Sequence, residues 1–158
     1  MFREMIRKKQ QISDAECVEV LKSQPRGVLS VLGDNGYPYG FPVDFFYDEE
    51  SGKLYFHGSK KGHKIDAIRN CDKVSFCVYD EGYRKEGEWA LNIKSVIIFG
   101  RIKELEDMEK KTEMCRRLAL KFTSDTEYIE KELATYMKGV NILELTPEYM
   151  TGKLVNES

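Results

Sequence analysis

Histidine and tryptophan are almost absent from this chain, with two and one among 158 residues. Neither histidine belongs to an H-E-x-x-H or similar array, so no ligand set for a catalytic metal is expected. The four cysteines, Cys17, Cys71, Cys77 and Cys115, contain no C-x-x-C pair. That spacing argues against a zinc site and predicts reduced thiols in or near the core of a cytoplasmic protein. No apolar run approaches the roughly 20 residues that cross a bilayer, and the first residues lack the apolar segment of a secretory signal. A membrane is therefore not an expected partner. The formal net charge is only −2, which leaves no overall field for a polyanion and makes nucleic acid a poor candidate. The sequence has no G-x-S-x-G elbow, no Walker A loop and no G-x-G-x-x-G turn. Without a side-chain constellation for hard chemistry, the expectation is a bound organic cofactor or no catalysis at all.

What is present reads as one domain over residues 1–158, with a basic arm over 1–12 that carries Arg3, Arg7, Lys8 and Lys9. Ser13 and Glu16 have capping-box spacing, and Ala15, Val18 and Leu21 then recur at helical intervals to about Ser23. Gly27–Leu32 is a short β-branched strand ending in a Gly-Asp-Asn-Gly turn. Tyr37–Tyr47 is extended but contains Pro38, Gly40 and Pro42, which predicts a bulged strand or one that lines a ligand. Lys53–His57 is a third strand, and a helix carrying Ile65, Ala67 and Ile68 follows. Val74, Phe76 and Val78 alternate in the next strand, and Asp80–Glu88 is a polar loop. Ala90–Glu104 includes a stretch apolar on both faces, predicting burial between layers or subunits. Helices over Asp107–Phe122 and Thr126–Met137 precede a strand from Val140 that stops before Pro147. The order predicts an α+β fold, mainly antiparallel β, built as a barrel with peripheral helices.

The chemistry concentrates in His57-Gly58-Ser59-Lys60-Lys61-Gly62-His63-Lys64, where a strand hands over to a helix. Free N–H groups at a helix start favour an anion, and Ser59 and Lys64 add donors, so the segment suits a phosphate monoester. A solvated basic turn is the plainer alternative. His57 is either a strand-end residue or a catalytic one. Trp89 either packs in the core or caps a planar ligand.

Met1–Met5, Gly36–Tyr39, Leu54–His57, Gly62–Lys64, Val74–Val78, Ser95-Val96 with Phe99-Gly100, and Thr151–Lys153 occur in an order that resembles the nitroimidazole-resistance (Nim) branch of the pyridoxamine-phosphate-oxidase-like superfamily. The resemblance spans almost the whole chain. It implies a six-stranded FMN-binding split β-barrel with peripheral helices, working as a homodimer with FMN at the subunit interface. By position it implies that Pro42 and Val43 line the flavin ring, that Ser59, Gly62, His63 and Lys64 meet the phosphate end, and that Lys94 and Ser95 are further cofactor contacts. It makes His57 the candidate catalytic residue, facing a small aromatic or nitro substrate such as a 5-nitroimidazole. Two departures stand out. Ile93-Lys94 replaces an aromatic-Arg pair, which loosens any clamp there, and the arginine-rich pattern of true pyridoxamine-phosphate oxidases is missing after Gly152. Two alternatives remain: a non-catalytic flavin-binding or sensing module, and a split barrel holding another ligand such as haem.

Overall fold

The computed structural model describes residues 1–157. Alternating burial shapes the sheet: Leu29 and Val31 point inward from β1 (Arg26–Leu32), and Val74, Phe76 and Val78 do so from β4 (Lys73–Tyr79). With β2 (Pro38–Asp48), β3 (Lys53–Gly58), β5 (Leu91–Glu104) and β6 (Asn141–Glu157), these strands close into a barrel in the order β1-β2-β3-β6-β5-β4. Every neighbouring pair is antiparallel. The interior is filled by Phe45, Phe56 and Phe76, whose rings meet edge to face, and by Leu29, Val96, Ile98 and Leu145. A side chain at Gly27 would collide with the Phe76 ring, so the absence of a Cβ lets that ring close the core. The six-stranded split-barrel class expected from the sequence is the fold observed.

Four helices surround the barrel. The capping box expected at Ser13 and Glu16 forms at the start of α1 (Asp14–Ser23). Its buried face is Cys17, Val20 and Leu21, not Ala15, Val18 and Leu21, because the i, i+3, i+4 stripe starts two residues later. Helix α2 (His63–Asn70) buries Ile65, Ala67 and Ile68 as expected. Helix α3 (Met108–Leu120) crosses β2, β3 and β6 and packs on α4 (Thr126–Tyr136). No described helix is long and apolar enough to cross a membrane.

The structure corrects the end of the last strand and removes one of the two readings of Trp89. The last strand does not stop before Pro147 but runs through it to Glu157, because β5 and β6 shift register at Phe99/Gly100 and the proline falls in that bulge opposite Gly100. Trp89 is not in the core; it is 74% exposed.

The doubly apolar strand is buried on one face only. Val96 and Ile98 face the core, whereas Ile97 and Phe99 are each 40% exposed on the outer face. Register puts Ile97 beside Cys77 and Cys77 beside Val28, so an apolar row crosses three strands. The ring of Phe2, in the N-terminal arm, stacks on Phe99 and Tyr149 of this face at 5.9 and 5.1 Å between centroids.

Candidate functional site

Strand β2 has a divided allegiance. Phe45–Asp48 pair with β3, whereas Pro38–Asp44 pair only with β1. The prolines at 38 and 42 lie in the half with one neighbour, where a missing N–H donor is tolerated. Where β2 parts from β3 a cleft of about 540 Å³ opens, and Pro42, Val43, His57 and Lys64 all line it. Its far wall comes from α3 and the residues after it: Cys115, Leu118, Ala119 and Phe122. Lys121 fastens that wall, donating from Nζ to the Phe45 carbonyl at 2.8 Å and lying over the Phe45 ring. Burial lowers the Lys121 pKa to about 8, with Asp44 pulling the other way.

The cleft is short of negative charge. Asp44 is its carboxylate, and it is engaged by Arg26 at 2.7 Å. Lys64 has no carboxylate partner among the described residues, and its Nζ lies 5.3 Å from the Phe41 ring centroid. His57 lines the cleft while remaining exposed to solvent. Burial there lowers its pKa below the ordinary imidazole value, the charge on Lys64 adds to this, and Asp44 opposes it. His57 is therefore predominantly neutral at pH 7 and offers one N–H donor and one nitrogen acceptor.

The other expected residues lie elsewhere. Ser59 and Gly62 sit on the β3–α2 connection, where Ser59 donates to the Lys61 carbonyl at 2.7 Å. Gly62 is the N-cap of α2 at φ 119°, a conformation that favours glycine, and it brings no side chain to cap the helix. His63 turns away from the cleft. It stacks on Tyr39 at 4.3 Å, and its Nε2 accepts from the Asp34 backbone N–H at 3.2 Å. Ser95 stands on β5 with Ile97 and Phe99, on the outer face. Lys94 points toward α1, its Nζ 3.3 Å from Glu16. Arg26, Cys115, Ala119 and Phe122 were not expected in the site, and nothing local in the sequence marks them.

A second cavity adjoins the first. About 300 Å³ in volume, it lies between the end of α3 and α4, and His57, Cys115, Ala119 and Phe122 line both cavities.

Known proteins share this architecture. A 5-nitroimidazole antibiotic resistance candidate from Bacteroides thetaiotaomicron superposes with a TM-score of 0.77 at 19% identity, over 93% of this chain and 87% of that one. The FAD and heme binding protein from Mycobacterium smegmatis gives 0.72 at 20% identity, over 92% and 73%. In sequence, the chain is 34% identical over 65 residues to the 5a,11a-dehydrotetracycline/5a,11a-dehydrooxytetracycline reductase of Streptomyces rimosus. That match spans 40% of this chain and under half, 46%, of the reductase. The family model described as pyridoxamine 5'-phosphate oxidase matches residues 13–154, and with this barrel order the chain belongs to the pyridoxamine 5'-phosphate oxidase family.

Proposed function

We propose that this protein is an FMN-dependent reductase of small aromatic compounds, nitroaromatics of the 5-nitroimidazole kind among them. The observation that carries this reading is the meeting of Pro42, Val43, His57 and Lys64 in one cleft. The donor chemistry fits a flavin nucleotide. Lys64 is a cation without a carboxylate partner among the described residues, beside a helix start with no side-chain cap. Lys64, with the Ser59–Gly62 turn, would hold the phosphate end, and Pro42 and Val43 would flank the ring. Bound FMN would supply the electrons, drawn from a reduced nicotinamide. His57, neutral at pH 7, would orient the acceptor group through its N–H and exchange protons with it. The relatives support this reading through a flavin-binding neighbour and a reductase that shares part of the sequence.

A homodimer is part of the proposal. The row Val28, Cys77 and Ile97, continued by Phe99, is the apolar surface a second copy would cover, and Ser95 stands on that same face.

The test is an FMN titration followed by visible absorption, with mass measured in solution. Near-stoichiometric flavin bands are expected on a dimer, with affinity about tenfold weaker in Ser59→Ala/Lys64→Ala and retained in His57→Ala. Turnover of a nitroimidazole with NAD(P)H should follow. Flavin without turnover would indicate a binding module, a His57-dependent Soret band would indicate haem, and a colourless protein that takes up neither would sink the reading.

A further inference from the structure

The cavity between α3 and α4 shares four residues with the cleft proposed to hold the flavin, but none of Pro42, Val43 and Lys64 lines it. Its lining is almost wholly apolar. Ile129, Leu133 and Met137 form the floor as a buried cluster, whereas Phe122, Tyr128 and Tyr136 stand at the rim, 46–59% exposed. Three half-exposed aromatic rings around one opening are costly unless something apolar covers them. The volume of about 300 Å³ is at the small end of ligand pockets and suits one or two rings. Cys115, on the shared wall, has its thiol pKa raised by burial, so it serves as an apolar surface and not as a nucleophile. Charge in the lining is one-sided: Glu132 is its carboxylate, and no lysine or arginine accompanies it.

We infer that this pocket selects the substrate, taking its uncharged or cationic aromatic end while the reducible group remains beside His57. The inference rests on the reductase reading and deepens it. An anionic end would meet Glu132 in a partly desolvated space with no cation to offset the repulsion, whereas a protonated amine would be attracted. Ala119 belongs to the wall that both cavities share. Tyr128 and Tyr136 line the pocket and not the cleft, so removing their rings opens the pocket without touching Pro42, Val43 or Lys64.

Three probes with the same ring separate the possibilities: 4-nitrobenzylamine, 4-nitrobenzyl alcohol and 4-nitrobenzoate, titrated calorimetrically into the flavin-loaded and the flavin-free protein. The amine is expected to bind tightest and the benzoate weakest, by about tenfold between the extremes. Tyr128→Ala/Tyr136→Ala, which removes two exposed rings that line this pocket and not the cleft, should weaken the alcohol about tenfold while leaving FMN affinity within about twofold. Glu132→Lys, at a partly exposed helix position where folding is not at stake, should reverse the order of amine and benzoate. Benzoate binding as tightly as the amine, an unchanged order in Glu132→Lys, or undiminished alcohol binding in a folded Tyr128→Ala/Tyr136→Ala would each overturn the inference. Failure of the protein to take up flavin, with the probe order intact in flavin-free protein, would overturn the reductase reading and leave the pocket assignment standing.

Discussion

Tyr55 and His57 are two residues apart on β3, share one face of it, and both lie under α3, yet their surroundings are opposites. At Tyr55 every polar group is answered. Glu144 of β6 is fully buried and accepts from Lys110 at 2.7 Å, Tyr55 at 3.0 Å and Lys53 at 3.2 Å. Burial pushes the Glu144 carboxyl up, but these donors outweigh it and hold the pKa at about 2. At His57 the imidazole, Lys64 and the nearby aromatic rings are left open beside two cavities. One helix on one strand thus makes a scaffold at its first turn and a site at its last. The difference lies in whether the polar groups are satisfied from within the chain.

The contrast can be broken at either end. The largest effect is expected from Glu144→Ala, which strands three donors and should cost about 3 kcal/mol in urea denaturation without altering FMN affinity. A cost below about 1 kcal/mol would mean the cluster is not structural. The same group sets an acid response. Its folded pKa lies below the unfolded value of 4.5, so its contribution is complete above pH 4.5 and is lost as the pH falls toward 2. Across that window the wild type should lose about 3 kcal/mol more than Glu144→Gln, measured by denaturation at each pH. His57→Ala should show the reverse profile: stability within about 0.5 kcal/mol of wild type, with reductive turnover down about a hundredfold and flavin retained. Equal damage to stability and turnover would erase the distinction. Tyr55→Phe, which removes one hydrogen bond to a charged group, should cost about 1–2 kcal/mol and leave turnover unchanged.

Much of the barrel was legible because its signals are local. The Ser13–Glu16 box, the Val74-Phe76-Val78 alternation and the glycine-rich turns each act within a few residues, and the elements they mark lie where expected. Pro147 misled because a bulge excuses a proline, and a bulge depends on the partner strand. Pro42, Val43, His57 and Lys64 could be named in advance because a family pattern fixes them by position. Arg26 and the α3 wall could not, since they reach the cleft only through the packing of distant segments. The pocket between α3 and α4 was equally hidden. Nothing in the sequence around Phe122 or Tyr128 marks a cavity, and only the helix–helix geometry shows that they surround a space.

Strand β6 carries a consequence for how the protein is made. It pairs with β3 through Asn141–Leu145 and with β5 along nearly its whole length, so it is the strip that seals the barrel. On a ribosome, β3 would wait with one edge unpaired until residues 141–157 had emerged, and its closing partner is far away in sequence, a slow kind of contact to form. The wall behind His57 would thus be among the last parts assembled. A nascent chain stalled before β6 would expose that edge to other chains and could bind little of anything at the cleft.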